Sequence, residues 1–455
     1  MVDIVPVKNK GAKFALFVLL IMSTLSFLDR KALSLLVEPI RHDLHITDFQ
    51  FSLIQGASFS VFYIILSYPL GWLVDRLSRR WIIYAGVSIW SLATIASGLS
   101  ANFSQMLAAR SVLGVGEAGL GPAAYSLLAD MFPKRKLGAA LTIFGTGAVI
   151  GGAGAFLLGG FLTVMFGKQG GITLPLLGHI HSWQLVLAMM GLMGVVLGPL
   201  IFSFSEPRRN PSPVVLSEGW RLLDYLRARP LFYVCLFIGA GSHALVASAG
   251  AVWGAAFMLR TFHWDIASVG VTLAVLGTIS GLGGMLASGF LVDWMFGRGV
   301  RDAHMVIFST YAAVSTVTGV AAYLCTTPWI YLSLSALHGA TSGIGGLAAA
   351  TLAVASPGEL RGRLSGILVL VINLGTLGLA PSVVAMFTDF VFHDDAKIGW
   401  SLASVVAIFG PIAFVALMIG RRPMRDIVCE LDGVQPAHVE RAPPAHLAPR
   451  AAGPR

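Results

Sequence analysis

Long apolar runs alternate with short polar loops along almost the whole chain. A helix needs roughly 20 apolar residues to cross about 30 Å of hydrocarbon, and runs of that length can be placed twelve times in this sequence. Their approximate centres lie at residues 25, 62, 91, 117, 152, 194, 244, 279, 315, 342, 376 and 409. The pattern therefore predicts an all-α membrane protein with twelve transmembrane helices.

The longest polar stretch between two predicted spans, residues 205–229, divides the spans into two sets of six. We predict an N-terminal six-helix bundle over residues 1–204, a cytoplasmic linker over 205–229 and a C-terminal six-helix bundle over 230–425. The segment 426–455, rich in Pro, Ala and Arg, is predicted to be a disordered cytoplasmic tail. Residues 167–181, between the fifth and sixth spans, are long enough for a small hairpin on the outer face.

The composition supports a membrane protein, and the charges predict its orientation. The chain is 56% hydrophobic and 12% charged, which is too little polar surface to cover a water-soluble globule. Lys and Arg crowd the termini and the loops of one side, whereas the opposite loops hold only Arg41, Lys168, Arg260 and Lys397. The positive-inside rule then places both termini in the cytoplasm, as in a multi-pass protein of the cell (inner) membrane. The net charge of +9 is shared among short loops and so does not indicate nucleic-acid binding.

A similar loop signature occurs in each half. Residues 71–80 end the second span and 289–298 end the eighth, while 133–138 and 357–362 match after the fourth and tenth. Repeats that cross the membrane in the same sense indicate two parallel bundles related by pseudo-twofold symmetry, a transporter architecture. Charges in such loops can bind helix ends in one transport state and release them in another. The candidate gating residues are Asp75, Arg76, Arg79, Arg80, Lys134, Arg135, Asp293, Arg298 and Arg361.

Three consecutive charged residues, Asp29, Arg30 and Lys31, interrupt the first apolar run. The apolar residues before them, 14–28, would form only about 22 Å of helix, which is too short to cross the bilayer. We therefore expect the helix to continue through the charges until Pro39 stops it. Asp29 has a short side chain and should face the bundle interior, whereas Lys31 is long enough to reach the outer interface.

The fourth predicted span carries complementary charges. Arg110, Gly114 and Glu117 lie at i, i+4 and i+7, on one face of a helix, at a depth that overlaps with Asp29. Burial raises the pKa of a carboxylate and a nearby guanidinium lowers it, so a substrate anion that binds arginine would favour proton uptake. We predict Asp29 and Glu117 as proton-coupling residues, and Arg30, Arg110 and Glu117 as substrate-binding residues. The alternative is a fixed ion pair between the first and fourth spans.

The second half carries few ionisable residues within its spans. They are His243 and His338, accompanied by the uncharged Asn373, and with Tyr125 they complete the predicted substrate-binding set. A lone histidine among apolar residues is more often a hydrogen-bonded core residue than a proton relay. The imbalance suggests that the first half binds the charged group and protons, while the second offers an apolar wall to an acyl chain.

The chain resembles the major facilitator superfamily over nearly its whole length. Residues 71–80 are similar to the loop motif between its second and third helices, except that Ser78 stands where the family usually has Gly. In the second copy the glycine is displaced to Gly297. These departures leave the fold assignment intact and weaken any inference about how tightly the loops lock.

Two segments resemble the spinster-like branch of that superfamily. Its members carry an Asp-Arg pair on helix one, here Asp29 and Arg30, and an Arg followed by a Gly-Val-Gly-Glu-Ala block on helix four, here Arg110 and residues 114–118. The resemblance implies a proton-coupled secondary active transporter of an anionic amphiphile, a lysophospholipid or sphingosine-1-phosphate, by alternating access. A helix-one Asp-Arg pair also occurs in bacterial anion:cation symporters, so a proton-coupled organic-anion or sugar-acid symporter is the alternative.

Other classes of function find little support in the sequence. No nucleophile–base constellation, metal-ligand set or phosphate-binding loop is visible, so we expect no enzyme activity, no cofactor and no metal. The expected partners are an anionic lipid-like small molecule, protons and the lipid bilayer, with the protein acting as a monomer. A membrane sensor that does not transport is the alternative of another class, because fold does not determine function.

Overall fold

The computed structural model describes residues 9–167, 171–174, 178–208, 220–342, 344–357 and 360–431. Within these residues, eleven helices are long and apolar enough to cross a membrane. They are Gly11–Leu35, Asp48–Val74, Arg79–Gly98, Phe103–Met131, Arg135–Phe166, Ser182–Ser203, Pro230–Phe262, Ile266–Gly297, Ala303–Tyr323, Arg361–Phe392 and Asp395–Glu430. Two shorter helices, Pro328–Ala340 and Ile344–Val354, occupy the place of the tenth predicted span. The predicted all-α membrane fold is confirmed, and the spans are numbered below in chain order with this pair as the tenth.

Several spans consist of shorter segments. The α-helices before residue 205 are Asn9–Leu35, Val37–Leu44, Asp48–Ser52, Ser58–Val74, Arg79–Gly98, Phe103–Glu117, Leu120–Met131, Lys134–Gly145, Gly147–Gly167 and Ser182–Leu197. Those after it are Trp220–Ala228, Pro230–Phe262, Ile266–Gly297, Ala303–Tyr323, Pro328–Ala340, Ile344–Val354, Arg361–Asn373, Ala380–Met386 and Ile398–Leu431. Leu53–Ala57, Leu374–Leu379 and Phe387–Phe392 are π-helical, and Gly198–Ser203 and Asp395–Lys397 are 3-10 turns.

Two helix ends differ from the sequence prediction. The first helix ends at Leu35, and Pro39 lies in the first turn of the next helix, Val37–Leu44, instead of stopping the first. Proline is tolerated there because the N–H groups of a first helical turn have no intrahelical partner. The last helix extends to Leu431, beyond the bundle end predicted at residue 425. The remainder of the predicted tail, 432–455, lies outside the described residues.

The predicted hairpin and linker are described in part. Strands Ile172–Leu174 and Gly178–Ile180 pair antiparallel, with Thr173 opposite His179, and form the small hairpin between the fifth and sixth spans. Within the predicted linker, Trp220–Ala228 is helical, and residues 209–219 lie outside the described part of the chain.

Buried apolar side chains of the described residues form three clusters. One cluster draws on both halves of the chain and includes Phe51 and Trp183 with Trp253 and Phe257. The buried members of the second, such as Trp90, all come from the N-terminal half, and those of the third all come from the C-terminal half. The first cluster therefore joins the two halves, whereas the buried members of each of the other two clusters come from one half.

That shared region lies on one side of the membrane, which we call the outer face after the predicted orientation. Arg260, at the end of the seventh span, bonds both carboxylate oxygens of Asp48 at 2.7 and 2.8 Å and Glu38 at 2.7 Å. Arg41 contacts Asp48 at 3.0 Å and Asp395 at 2.9 Å. These five residues, the outer network, link the start of the second span to the C-terminal half. The outer face is closed in this structure.

Small residues let the two halves approach closely on the outer side. A Cβ atom at Gly56 would lie 2.6 Å from the backbone oxygen of Leu377, between the π-helical segments of the second and eleventh spans. A Cβ atom at Gly270 would lie 2.5 Å from the backbone oxygen of Phe156, between the eighth and fifth spans. Only glycine fits at these contacts without a backbone shift.

Candidate functional site

Four charged residues of the first and fourth spans meet within the N-terminal half. Arg30 donates from its guanidinium to Oε2 of Glu117 and forms an ion pair with it. The Ser26 hydroxyl, one helical turn before Arg30, donates to the same oxygen at 2.8 Å. The other carboxylate oxygen, Oε1, is buried and has no hydrogen-bond partner. Among the described residues, hydrogen-bond donors therefore reach one of the two carboxylate oxygens of Glu117 and leave the other without a partner.

Asp29 and Arg110 complete this group, which we call the charge cluster. Asp29 is 2% exposed; one of its oxygens accepts from the Thr94 hydroxyl at 3.1 Å and the other has no partner. Arg110 is 1% exposed and interacts electrostatically with Asp29 and Glu117, yet its Nε and Nη1 groups donate to no described atom. A buried guanidinium with unused donors is costly unless another group binds it. Arg110 is thus suited to receive an anion.

Glycines position Glu117 against its neighbours. Glu117 is the last residue of Phe103–Glu117, and the fourth span resumes at Leu120. A Cβ atom at Gly114 would lie 2.5 Å from the backbone oxygen of Phe59, and one at Gly116 would lie 2.7 Å from the backbone nitrogen of Trp90. The glycine-rich sequence therefore brings the fourth span into backbone contact with the second and third, and it interrupts the helix beside the carboxylate.

Aromatic rings surround the Arg30 guanidinium. Its carbon lies 5.2, 4.6 and 5.1 Å from the ring centroids of Phe27, Phe59 and Tyr63. The Arg30 side chain keeps 17% of its surface exposed, whereas that of Glu117 has none. Arg30 is therefore the member of this ion pair that water or a ligand can contact. Tyr125 is 54% exposed and contacts the Phe144 ring edge to face.

The three candidate residues of the C-terminal half lie apart from the charge cluster in sequence and have different environments. His243 is buried, with Nε2 2.9 Å from the backbone oxygen of Thr341 and its ring against Phe308. This is the environment of a structural histidine. His338 is buried and lines a cavity between the two halves. Asn373 is half-buried at the end of Arg361–Asn373, just before a π-helical segment.

Among the candidate gating residues, Arg79 is the most extensively bonded. It is fully buried and binds Glu206 at 2.9 Å, the Asp130 carboxylate, the Ser126 hydroxyl at 3.1 Å and the backbone oxygen of Pro207 at 2.8 Å. These contacts join the start of the third span to the ends of the fourth and sixth spans within one half. Arg79 therefore braces the N-terminal bundle in this conformation.

The pKa of the Glu206 carboxyl depends on its contacts with Arg79. Burial raises its pKa, but hydrogen bonds from the Ser78 hydroxyl and from the backbone and guanidinium of Arg79 outweigh burial and lower the pKa to about 2. Arg80 adds a hydrogen bond to the backbone oxygen of Phe204. Glu206 was absent from the predicted site, although it directly follows the sixth span.

An ion-pair group with the charges reversed, one carboxylate between two arginines, occupies the equivalent place in the C-terminal half. Asp302, 1% exposed and just before the ninth span, accepts hydrogen bonds from Arg421 at 3.0 Å and Arg425 at 3.2 Å, near the end of the twelfth. The sequence prediction assigned Asp293 and Arg298 to gating in this half and did not include Asp302. The four-residue spacing of Arg421 and Arg425, which puts two cations on one helix face, was the sequence feature that could have indicated this site.

The remaining candidate gating residues lie mostly on the surface. Arg76 stacks on Trp72 and Arg298 stacks on Trp294, each 3.7 Å from the ring centroid, so these two arginines pack on their own helices. The Arg361 guanidinium donates to the backbone oxygen of Ser356 at 3.2 Å. Asp75, Arg135 and Asp293 are exposed. The side chain of Lys134 lies outside the described part of the chain.

Comparisons with known sequences agree with this architecture. A sequence profile described as the Major Facilitator Superfamily matches residues 19–378. The chain is 26% identical over 434 residues to an MFS-type efflux pump of Mycolicibacterium smegmatis, covering 91% of this chain and 94% of that protein. It is 25% identical over 429 residues to a probable L-galactonate transporter of Escherichia coli, covering 90% of each. It is 28% identical over 253 residues to protein spinster homolog 1 of Xenopus tropicalis, covering 54% of this chain and 45% of that protein.

A solved structure shows the same fold. The crystal structure of a bacterial homolog to the human lysosomal transporter Spinster, in an inward-facing and unoccupied conformation, superposes with a TM-score of 0.74 at 21% identity. The superposition covers 94% of this chain and 100% of that chain.

Proposed function

Because the chain belongs to the Major Facilitator Superfamily, a family of non-enzymatic membrane transporters, we propose that it is a proton-coupled secondary active transporter of an anionic amphiphile. The observation that carries this proposal is the charge cluster, in which two acids and two guanidinium groups lie within the spans and all but Arg30 are buried. Ionisable groups at such depth are costly and are retained in membrane proteins chiefly for ion and substrate pathways. Alternating access between two six-helix bundles would expose the cluster to each side in turn.

Charge balance supplies the coupling. With both acids ionised, the cluster is neutral overall, and Arg110 still has two unused donors. An anion that binds Arg110 or Arg30 takes positive charge away from the carboxylates, and proton binding to Asp29 or Glu117 then restores neutrality. When the anion leaves, the arginines again stabilise the ionised acids and the protons leave as well. The coupling requires no covalent step.

Two features favour an amphiphile as the anion. The aromatic rings around Arg30 offer apolar surface directly beside a cation, and the second half of the chain is apolar over most of its spans. A lysophospholipid or a sphingoid phosphate combines one anionic group with a chain that such surfaces bind. The sequence similarity to protein spinster homolog 1 is consistent with this substrate class.

A sugar-acid or other organic-anion symporter is the second candidate. One observation favours it: the similarity to the probable L-galactonate transporter covers 90% of both chains, whereas the similarity to the spinster homolog covers 54% of this chain. Competition between a lysolipid phosphate and galactonate for the purified protein decides between the two. If galactonate alone competes, the amphiphile proposal is wrong.

The test of coupling is transport by purified protein in liposomes with an imposed pH gradient. The wild-type protein should transfer the anion intact and faster with the gradient than without it. Glu117→Gln should fold normally, because glutamine can still accept from Ser26, and should lose the acceleration by the gradient. Glu430→Gln is the matched control, since Glu430 is exposed and pairs only with Arg229 among the described residues.

Three results would contradict the proposal in different ways. Equal acceleration by the gradient in Glu117→Gln and wild-type protein would place the coupling elsewhere. Binding of the anion without transfer across the membrane would indicate a sensor. A chemically changed anion would indicate an enzyme.

A further inference from the structure

A surface pocket of about 820 Å³ lies at the end of the twelfth span, on the side of the membrane opposite the outer face. Its walls come from the start of the seventh span, from Asp302 just before the ninth, and from residues between 418 and 426 of the twelfth. Arg421, Arg422 and Arg425 bring three positive charges to it, and we call it the arginine pocket. All of its lining residues belong to the C-terminal half, so it is separate from the charge cluster.

The acids of the arginine pocket compensate only part of its positive charge. Asp302 accepts hydrogen bonds from Nε of Arg421 at 3.0 Å and from Nη2 of Arg425 at 3.2 Å. Asp426 is the other acid of the wall, which therefore carries a net charge of +1. Arg422 is exposed and forms no ion pair within the described part of the chain. The pocket thus retains an uncompensated cation.

The buried carboxylate of Asp302 orders two of the three guanidinium groups. It is 1% exposed, whereas the side chains of Arg421 and Arg425 keep 30% and 48% of their surface exposed. Each guanidinium has five N–H donors, and the bonds to Asp302 use only some of them. An arginine that is already held in place loses less side-chain entropy when it binds a further anion. The arrangement therefore suits a second anion on the exposed side.

The opposite edge of the arginine pocket is apolar. Leu231 of the seventh span and Met418 and Ile419 of the twelfth line it, and all three are exposed on the surface of membrane-spanning helices. At 1.5 Å per residue, Arg421 and Arg425 lie about 3 and 9 Å further along the helix than Ile419. The headgroup layer on each side of a bilayer is roughly 5–7 Å thick. The apolar edge thus lies at the depth of the hydrocarbon and the arginines at the depth of the headgroups.

The end of this chain is a poor occupant for the arginine pocket. Residues 432–455, which follow the twelfth span, contain three arginines and two acids and so bring no excess of negative charge. A soluble acidic peptide would match the arginines but would leave the apolar edge to the hydrocarbon. A bilayer lipid with a negatively charged headgroup matches both parts of the pocket at the depths where they lie.

We propose that the arginine pocket is a binding site for an anionic phospholipid of the surrounding bilayer. Arg422 and the free N–H groups of Arg421 and Arg425 bind the lipid phosphate through charge-assisted hydrogen bonds. The apolar edge, with Leu231 and Ile419, contacts the first part of an acyl chain. This inference goes beyond the proposed transport function and does not depend on it, because the lipid is a bound component of the membrane and is not transported.

Calorimetric titration of the purified full-length protein in a neutral detergent tests the site with three probes. Dioctanoyl phosphatidylglycerol carries the negative charge and the chains, dioctanoyl phosphatidylcholine has the same chains and no net charge, and inorganic phosphate has the charge without chains. The wild type should bind phosphatidylglycerol at least about tenfold more tightly than either of the other two. Raising the salt concentration should weaken phosphatidylglycerol binding, because the arginines are exposed.

Substitution of Arg422 tests the site without disturbing the contacts of Asp302. Arg422→Gln should fold, since Arg422 is exposed, and should weaken phosphatidylglycerol binding by about fivefold, the typical effect of one arginine near an anionic membrane surface. Arg422→Lys keeps the charge and should stay within about twofold of the wild type. Arg227→Gln is the matched control, because Arg227 is exposed on the same side of the membrane and lies outside the pocket.

A double variant, Arg422→Gln with Arg425→Gln, should weaken phosphatidylglycerol binding by about twentyfold. Arg421 still pairs with Asp302 in this variant, so the buried carboxylate keeps a cation. Its melting temperature, measured without lipid, shows whether the fold is retained.

Four outcomes would overturn the inference or separate it from the proposed function. Equal affinity for phosphatidylglycerol and phosphatidylcholine would overturn the site. Equal weakening by Arg422→Gln and Arg227→Gln would show a general attraction to the basic surface and overturn it as well. Inorganic phosphate that binds as tightly as phosphatidylglycerol would replace the lipid with a free anion. A wild-type protein that binds phosphatidylglycerol as expected but transports no anion would overturn the proposed function and support this site.

Discussion

Glu206 shows how one carboxylate organises the end of the N-terminal bundle that lies opposite the outer face. It lies just beyond the end of the sixth span, and its two oxygens receive hydrogen bonds from Ser78, before the third span, and from Arg79, the first residue of that span. Arg79 is buried, so its charge depends on Glu206 and Asp130 for compensation. A buried cation that loses a carboxylate partner destabilises the folded state more strongly than an exposed one.

We therefore predict that Glu206→Gln lowers the thermal stability of the purified protein at neutral pH. Because the folded-state pKa of about 2 lies below the ordinary value of 4.5, the ionised carboxylate stabilises the fold fully above pH 4.5. That stabilisation is lost as the pH falls toward 2. The difference in melting temperature between wild type and variant should thus be largest above pH 4.5 and shrink below it. Glu430→Gln should show a much smaller difference, and a constant difference for Glu206→Gln at all pH values would contradict the assignment.

At the scale of elements, the eighth span makes close contact with the fifth near the outer face, and some of its later glycines have no close neighbour. Gly270 meets the backbone of Phe156, and Gly160 meets the backbone of Ala267. Small residues at such contacts let membrane helices pack by van der Waals contact where no hydrophobic driving force exists. Gly283, on the same helix, has no neighbour within 4 Å of an added Cβ.

This difference predicts opposite effects of one substitution at two glycines. Gly270→Ala should destabilise the outer-closed form by about 1–2 kcal/mol, because its Cβ would meet the backbone of Phe156. Gly283→Ala should be neutral or stabilising, because alanine is the better helix former by about 1 kcal/mol. The distance between spin labels at Val164 and Val271, measured in membranes, reports the change. If both variants give the wild-type distance distribution, the contact does not control closure.

At the scale of the whole molecule, the outer network and the shared apolar cluster hold the two halves together on one side. Asp48 is fully buried and shared by Arg41 and Arg260, so it links groups from both halves. A transporter that alternates must separate these residues to open outward. The outer network therefore stabilises one end state of the transport cycle.

Asp48→Asn should accordingly shift the protein toward the outward-open form. Removal of one partner from a buried ion pair is destabilising, and we expect the open population to rise by about tenfold or more. Labelling of a cysteine at Ser382, which bonds Ser52 across the halves, by an impermeant reagent from outside measures that population. Asp265→Asn is the control, since Asp265 caps its own helix on the same face. Equal labelling rates in the two variants would show that the outer network does not hold the closure.

The sequence could predict how deep the charged residues lie along the spans, but it could not predict their ion-pair and hydrogen-bond partners. Positions along the spans were enough to place Asp29, Arg110 and Glu117 at similar depth in the bilayer. They did not show that Arg30 pairs with Glu117, or that Ser26 and Thr94 complete the site. A partner depends on how each helix is rotated about its axis, and depth does not specify that rotation.

The spans, their order and the membrane class were determined by the sequence alone, because crossing a bilayer depends on apolar length, a local property. Only the tertiary structure decided that Asp48 and Arg260, 212 positions apart, close the outer face. Only the structure showed that Lys31 lines a cavity between the two halves. Both outcomes depend on how two bundles pack against each other, and that packing is set by contacts between distant residues that no local pattern records.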